Sequence, residues 1–419
     1  MKSPALLVLS QVYPPDTPAV GQYMHEAAQA LACRGYHVQV LTSARGYEDP
    51  TKWFPKYEVL DGVNIRRLPL SSFGKSSIVI RLIGGMSFTL QCIFHGLFLR
   101  NLVCVLVSTS PPMASVAALI IRLFRRVKVK FWVMDLNPDQ LIEMGKITET
   151  SLPARAFNAL NRTILKVSDD VIALDRFMAD RLNKKRDIHE KMTILPPWPH
   201  SEHMDSVDHA DNPFRKTHGL EGKFVIMYSG NHGQTTPVTT VLDAAVRLQG
   251  REDLVFIFIG GGVGKRDVEK TRAEHPTARI IDLPYQPFDQ LQYSLSAADV
   301  HLVTMGNDVV GVIHPCKVYG AMALARPILL VGPRECHVSD IMQERNIGIH
   351  INQGDVDGAI AAIERLCSMD PAERKAMGDA AAEVVSTRFQ KSQMIATFCD
   401  VIMRGLPVTD ANNLHTINA

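Results

Sequence analysis

Apolar positions along this chain alternate between two textures. Short runs rich in Val, Ile and Leu, such as Ala5–Ser10 (ALLVLS), are followed by longer stretches with apolar residues at helical spacing. The first texture marks buried strands, the second amphipathic helices. Their alternation predicts a parallel α/β architecture, because neighbouring parallel strands need a crossover. In the first half, strands are predicted at Ala5–Ser10, His37–Thr42, Val63–Leu68, Val103–Ser108, Val127–Met134 and Val171–Leu174. Helices are predicted at Val20–Arg34, Ile78–Leu99, Met113–Arg125 and Leu152–Val167.

A second series begins at Phe224. Its predicted strands are Phe224–Ser229, Leu254–Ile259, Ala278–Ile281, Val300–Val303 and Pro327–Leu330. Its predicted helices are Val238–Gln249, Lys265–Glu274, Phe288–Ala297, Cys316–Ala325 and Val356–Cys367, then one long helical stretch from Pro371 to about Arg404. Between the series, Pro196-Pro197-Trp198-Pro199 and the polar segment SEHMDSVDHADNP lack apolar periodicity and read as a linker. The expected organisation is a doubly wound domain over residues 1–198, a linker over 199–213, a second doubly wound domain over 214–386 and a flexible tail over 406–419. In such sheets ligands sit beyond the carboxyl ends of the strands, and two facing domains with a cleft suit a two-substrate reaction.

Composition narrows the partners. The 419 residues are 46% hydrophobic and 21% charged, which excludes disordered and low-complexity classes. Forty-five Lys+Arg against 43 Asp+Glu give a net charge of +2, so no global pull on nucleic acid is expected. Seven cysteines, at 33, 92, 104, 316, 336, 367 and 399, form no CxxC or Cys/His cluster. They read as scattered thiols of a reducing compartment, and the apolar start is too short for a secretory signal. A cytoplasmic protein is expected. The apolar stretch Ile78–Arg100 carries Arg81, Gln91, His95 and a Gly84-Gly85 break, and reads as a buried or surface-lying helix rather than a span. Nearby, Arg122, Arg125, Arg126, Lys128 and Lys130 occur without an acid. Together the Ile78–Lys130 region suggests peripheral contact with the inner face of a membrane.

Candidate chemistry lies at strand ends. Ser229-Gly230-Asn231-His232-Gly233 and Gly260-Gly261-Gly262-Val263-Gly264 each follow a buried strand, where glycine permits sharp turns and close approach to a ligand. Neither spells the dinucleotide fingerprint. Lys265 and Arg266 open a helix, an unfavourable place for cations unless an anion is near. In the segment DVVGVIHPCKVYGAMALARP, Pro315 sits where a helix should begin, and His314 and Lys317 could flank a diphosphate. In the first half, Asp135 follows a buried strand and could accept or orient the proton of an acceptor hydroxyl. Ser110, in Ser108-Thr109-Ser110-Pro111-Pro112, ends another strand, as does the loop Tyr13 to Gly21, which contains Pro15 and Asp16. No Asp-x-Asp metal motif is read, and the adjacent Asp169-Asp170 is taken as a strand start.

Ordered segments along nearly the whole chain resemble one family. They are QVYPPDTPAVGQYMHEAAQALACRGYHVQVLT, VSTSPP, VMDLNPDQ, SDDVIALDRFMADRL, ILPPWPH, MYSGNH, LPYQPFDQLQYSLSAADVHLV and HPCKVYGAMALARPIL. The sequence resembles family 4 glycosyltransferases with the GT-B fold, of the WbuB-like kind found in bacterial exopolysaccharide and O-antigen clusters. The resemblance implies a nucleotide-sugar donor on the second domain and a glycan or lipid-linked acceptor on the first. It also implies transfer with retention, no metal or other cofactor, and a final helix of about 387–405 packing on the first domain. It places Gly21 near the donor sugar, Arg176 as an acceptor or phosphate contact, Tyr285 and Gln286 beside the base, and Asp135 in a DLWPE-like segment. The family's glutamate pair would fall on Val312 and Gly320, which cannot replace it, and its usual cations would fall near Asn231 and Gln234. Asn231, His232, Asp308, His314 and Lys317 are the expected substitutes, with Gly230, Gly260, Gly261 and Pro315 shaping the donor loops. Two other readings stay open: an inactive sugar-nucleotide-binding partner of an assembly complex, and a nucleotide-sugar epimerase on the same fold.

Overall fold

The computed structural model describes residues 3–16, 19–46, 49–71, 73, 78–199 and 206–409. They form two compact units, one of residues 1–197 with 392–419 and one of residues 198–391.

The first unit runs β1 (Ala5–Leu9), α1 (Ala19–Cys33), β2 (His37–Ser43), β3 (Tyr57–Leu60), β4 (Val63–Leu68), α2 (Ile78–Phe98), β5 (Leu102–Ser108), α3 (Ala114–Arg125), β6 (Lys128–Trp132), α4 (Asp139–Glu143), α5 (Leu152–Val167), β7 (Asp170–Ala173), α6 (Arg176–Lys185) and β8 (Met192–Ile194). Its sheet has the order β3-β4-β2-β1-β5-β6-β7-β8. Only the β3–β4 pair is antiparallel. β1 is buried along its length because it is flanked by β2 and β5 and covered on both faces, as central parallel strands must be. The strand order reverses beside β1, so the crevice for a ligand falls between the loops after β1 and β5. The cis peptides Pro14–Pro15, Ser110–Pro111 and Asn137–Pro138 lie in the loops after β1, β5 and β6.

The second unit runs α7 (Pro213–Thr217), β9 (Phe224–Ser229), α8 (Thr239–Arg247), β10 (Leu254–Ile259), α9 (Lys265–Glu274), β11 (Ile280–Leu283), α10 (Leu291–Ser296), β12 (Val300–Thr304), α11 (Lys317–Ala323), β13 (Ile328–Val331), α12 (His337–Glu344), β14 (Gly348–Ile351), α13 (Val356–Ser368) and α14 (Pro371–Arg388). Its six strands are ordered β11-β10-β9-β12-β13-β14, all parallel. Strand side chains alternate between faces. Ile226, Tyr228, Phe256 and Phe258 therefore enter one core, and Val225, Met227, Val255 and Ile257 the other. Here the order reverses between β9 and β12, which makes the loops after them the site-forming ones.

The single helix expected from Pro371 to Arg404 is two. α14 ends at Arg388, and α15 (Lys391–Met403) follows. No glycine or proline marks the break. Phe389 makes it, turning in as a buried residue whose ring meets Tyr319 at 5.0 Å. α15 packs on the first unit, with Phe398 against Trp132 at 4.4 Å. Lys130 fastens it, pairing with Asp170 and donating to the carbonyls of Val401 (3.2 Å) and Arg404 (2.7 Å). Arg404 closes the cluster with a 2.7 Å bond to Asp170. Around the expected linker, Asn212 caps α7 by accepting from the Phe214 amide at 2.9 Å.

Candidate functional site

The two glycine loops of the second unit interlock. Gly230 and Gly260 have φ of 136° and 130°, a region that side chains rarely adopt. A Cβ on Gly260 would run into the Gly230 carbonyl, and one on Gly230 would strike the Lys317 side chain. The Gly230 amide donates to Ile259 (2.9 Å) and the His232 amide to Gly261 (2.7 Å), so the loops hold each other. The Gly230–Gly264 region thus brings Gly230, Asn231, His232, Gly260 and Gly261 together with Lys317.

Two lysines reach this loop pair with different fates. The Lys265 ammonium pairs with Asp282 at 2.6 Å and donates to the carbonyls of Gly260 (2.8 Å) and Leu283. The cation expected to await an anionic ligand is therefore already satisfied by protein groups, and Lys265 is a brace. Lys317 donates to the Tyr228 hydroxyl and to the Asn231 carbonyl (3.0 Å), with its Nζ 4.3 Å from the Tyr228 ring centre. Both acceptors are neutral. No carboxylate pairs with Lys317 among the described residues, so its charge is free to act on a ligand.

His232 is 1% exposed, and neither ring nitrogen has a hydrogen-bond partner. Burial, then the charges of Lys265 and Lys317, push its pKa down to about 4, against the opposing pull of Asp282 and the Gly261 carbonyl. It is a neutral imidazole, packed against Tyr228 with ring centres 4.6 Å apart and planes tilted by 56°. A buried polar group without a partner is costly, which marks the ring as a candidate ligand contact.

The other predicted donor residues are placed less uniformly. Tyr285 is exposed and leans over Gly261, whose Cβ would lie 3.2 Å from its ring. Gln286 donates to its own loop at Pro284 (2.9 Å). Asp308 is exposed in a 3-10 turn whose Gly306 amide bonds Thr235, just past the glycine loop. His314 is buried, with its Nε2 2.8 Å from the Tyr319 hydroxyl. Pro315 precedes α11, whose first residue is Lys317 itself. Val312 is fully buried, whereas a Cβ on Gly320 would meet open space.

An Asp-x-Asp sequence does occur, at Asp355–Asp357, contrary to expectation. Asp355 caps α13 by accepting from Gly358 at 2.8 Å, and Asp357 pairs with Arg247 at 2.5 Å. Asp169 pairs with Lys128 at 2.9 Å, while Asp170 starts β7 in the Lys130 cluster. No group of three His, Cys, Asp or Glu able to hold a metal occurs among the described residues.

In the first unit Asp135 stands at the end of β6. The Thr109 hydroxyl accepts from the Met134 and Asp135 amides (3.1 and 3.0 Å) and so joins the loops after β5 and β6. Asp135 keeps slight solvent contact, yet its carboxyl is lodged deeply enough that burial pushes its pKa from 3.8 to about 6. Ser110 is half-buried beside this point, its amide 3.3 Å from the Ser108 hydroxyl. Pro15 is exposed and Asp16 half-buried in the turn closed by the Asp16 amide on Tyr13 (3.1 Å). Gly21 is needed within its own unit, because a Cβ there would sit 3.1 Å from the Tyr13 backbone. Arg176 is exposed at the start of α6 and covers Phe177 at 3.9 Å. Its neighbour Asp175 is buried and caps α6, accepting from Met178 at 2.8 Å.

The basic cluster at Arg122–Lys130 is not the open patch its sequence suggests. Arg122 and Lys128 pair with Asp169, and Lys130 is 1% exposed against Asp170. Arg125 donates to carbonyls at the end of α2, including Leu97 (2.5 Å) and Leu99 (2.9 Å). The apolar half of the expectation takes a definite form. Leu82, Met86, Leu90, Phe94 and Phe98 are exposed at four-residue spacing along α2, beside exposed Leu123 and Phe124 on α3. Among the described residues no helix is long and apolar enough to cross a membrane. Sequence reading missed Thr109, Tyr228, Tyr319 and His337, whose contacts include partners distant along the chain: Thr109 with Met134 and Asp135, Tyr228 with Lys317, and Tyr319 with His337.

Residues 19–198 match the family described as Glycosyl transferase 4-like domain, and residues 211–384 match Glycosyl transferases group 1. The chain is 27% identical over 266 residues to WbjE of Pseudomonas aeruginosa, a protein named as a glycosyltransferase; the match covers 64% of this chain and 66% of WbjE, just under two thirds. It is 24% identical over 379 residues to WcaI of Escherichia coli (strain K12), named for colanic acid biosynthesis, covering 86% and 91% of the two chains. Among solved structures, sucrose-phosphate synthase from Thermosynechococcus elongatus superposes with a TM-score of 0.77 at 15% identity, covering 96% of this chain and 98% of that one. WaaG, a glycosyltransferase involved in lipopolysaccharide biosynthesis, gives 0.71 at 15% identity, covering 96% and 100%. HepE of Anabaena in complex with UDP-glucose gives 0.69 at 12% identity, covering 96% and 99%. At these identities the structures establish the fold alone, two parallel-sheet α/β domains of the GT-B kind.

Proposed function

We propose, from a glycosyl transferase 4-like domain over residues 19–198 followed by a group 1 domain over residues 211–384 on the GT-B fold, that the chain moves a hexosyl or N-acetylhexosaminyl group from a nucleoside-diphosphate sugar to a hydroxyl of a glycan or lipid-linked glycan. Transfer retains the anomeric configuration and serves cell-surface polysaccharide synthesis of the exopolysaccharide or O-antigen type. WcaI, by its name, works in such a pathway, and HepE has been solved in complex with UDP-glucose. The observation that carries the reading is Lys317: an ammonium held against a glycine loop by two neutral acceptors, next to the orphaned ring of His232.

The proposed chemistry follows from these groups. As the bond between the anomeric carbon and the diphosphate oxygen breaks, negative charge grows on the departing diphosphate. Lys317 and the amides of the glycine loops supply fixed charge and dipoles there. His232, neutral at working pH, can donate a hydrogen bond from one nitrogen. His314, Asn231 and Asp308 complete the donor side, with Tyr285 and Gln286 at the base and no metal required. On the first domain Asp135, with a carboxyl pKa of about 6, accepts or orients the acceptor hydroxyl's proton, and Pro15, Asp16, Ser110 and Arg176 are the proposed acceptor contacts. The exposed apolar face of α2 and α3 is read as a lipid contact that brings the enzyme to a membrane-linked acceptor.

Nucleoside-diphosphate sugars with different bases, screened by thermal shift and then assayed for transfer with the product's anomeric configuration read by NMR, test the proposal. It requires that one donor stabilise the protein and yield a retained glycosidic product. Binding without transfer or hydrolysis would favour the inactive-partner reading, which the carboxylate-free Val312 and Gly320 positions motivate.

A further inference from the structure

Lys317 is held by a buried phenol 89 residues earlier in the chain. Its side chain starts on the first residue of α11 and crosses Gly230, just past β9, to reach the Tyr228 hydroxyl and the Asn231 carbonyl (3.0 Å). The crossing is tight. A Cβ on Gly230 would run into Lys317 Cε and lie 3.2 Å from Cδ, so glycine leaves the path that any other residue would close.

The direction of these hydrogen bonds is fixed. An ammonium donates and never accepts, so the Tyr228 oxygen must accept from Lys317. The phenol's one proton then turns to the Asn231 carbonyl (2.7 Å) or the Thr236 hydroxyl (3.1 Å), and either choice leaves the Lys317 contact as it is. Both acceptors of the ammonium are themselves anchored. Tyr228 is fully buried, its ring 4.6 Å from that of His232 and 6.4 Å from that of Phe258. Thr236 accepts from the Gly233 amide at 3.1 Å and so closes the loop that carries Asn231. At a tetrahedral nitrogen, the bond to Cε and two committed N–H groups leave one direction for the third. Lys317 is only half-buried, and no further hydrogen bond or ion pair takes that proton among the described residues.

We propose that Tyr228 is a positioning residue: with the Asn231 carbonyl it presets the Lys317 ammonium, so that the remaining N–H is held for a phosphate oxygen before the ligand arrives. The inference rests on the reading of Lys317 as the diphosphate contact given above. A lysine free in solvent must be immobilised when a ligand binds, and that ordering weakens binding; here folding has already done it. A lysine merely parked on Tyr228, and pulled away by the ligand, would use the same contacts and behave in the opposite way. Removal of the phenol oxygen would then release it and raise affinity.

The test is a double-mutant cycle of full-length wild type, Tyr228→Phe, Lys317→Ala and the double variant. UDP, GDP and dTDP are titrated calorimetrically into wild type, and the one that binds is used for all four proteins. Tyr228→Phe is expected to lower affinity about three- to tenfold, the range for one long side chain left to be ordered on binding. In the Lys317→Ala background the same change should matter by less than about twofold. Phenylalanine keeps the ring packing; Tyr228→Met, whose flexible chain can refill the site, takes its place in the cycle if Tyr228→Phe does not fold. An equal fall in both backgrounds means that the phenol acts through the loop and not through Lys317, and overturns the positioning role. Unchanged or raised affinity of Tyr228→Phe in the wild-type background overturns it too. If none of the three diphosphates binds, or Lys317→Ala binds as tightly as wild type, the diphosphate reading of Lys317 itself fails and takes this inference with it.

Discussion

Asp135 gives a prediction in which function and stability pull apart. Its carboxyl carries a pKa of about 6 in the folded chain against 3.8 for the unperturbed group, with burial as the cause. Folding therefore favours its protonated form. Below about pH 4 both states are protonated and Asp135 carries no penalty. As pH rises through about 4 to 6 the unfolded chain ionises first, and stability is lost until the folded carboxyl ionises as well. Two pKa units correspond to an upper bound of about 3 kcal/mol, and the residual solvent contact of this side chain reduces that to roughly 1–2 kcal/mol. Asp135→Asn removes the ionisable group at constant size. Near pH 8 the variant should be more stable than wild type by roughly 1–2 kcal/mol, or about 2–8 °C in Tm for a domain of this size. The gap should close near pH 4, while transferase activity falls at every pH. Paired thermal melts from about pH 4 to about pH 8 measure this. A gap that does not change with pH, or a wild type that is the more stable at pH about 8, would refute the argument that Asp135 is held at a cost.

Other consequences are as direct. Lys130→Ala leaves Asp170 buried with only Arg404 and frees the end of α15, so chemical denaturation should show a loss of about 3–5 kcal/mol; Lys128→Ala, on the exposed side of Asp169, should cost under about 1 kcal/mol. Gly260→Ala forces a Cβ onto the Gly230 carbonyl at a φ of 130°, and should destabilise the protein by about 1–3 kcal/mol in urea melts while weakening donor binding. Phe94→Ser with Phe98→Ser should abolish flotation with liposomes and leave Tm unchanged, because both rings are exposed. Since most cations nearby are already paired, that binding should respond weakly to salt; strong salt sensitivity would contradict the apolar reading.

The fold was legible where burial leaves one solution. Central parallel strands such as β1, β9 and β10 must be continuous apolar runs, so their limits agree closely with the pattern. The strands that escaped notice are β3, β8 and β14, at sheet edges, where half of each strand faces solvent and no apolar run is required. The break at Phe389 escaped because packing against Tyr319 makes it, not a breaker residue. α6 is absent from the predicted helices, although an aspartate ahead of a helical run is a capping signal. In the candidate site the glycine loops and Lys317 could be picked out because a glycine turn after a buried strand and a cation in a first helical turn are local signals, whereas the contact of Lys317 with Tyr228 and Asn231 joins distant segments. The roles of Lys265, Lys128 and Lys130 could not, since Asp282, Asp169 and Asp170 come from neighbouring strands. Spacing along a chain exposes a cation but not the acid that a parallel sheet brings beside it.

The central claim is that an uncompensated Lys317 holds the donor's diphosphate on the second domain. Calorimetric titration of wild type and Lys317→Ala with the nucleoside diphosphate that shifts the wild-type melt tests it most directly. One lost charge-assisted contact predicts a fall in affinity of at least about tenfold, in a variant whose own Tm is close to wild type. Equal affinity in the two proteins would contradict the account.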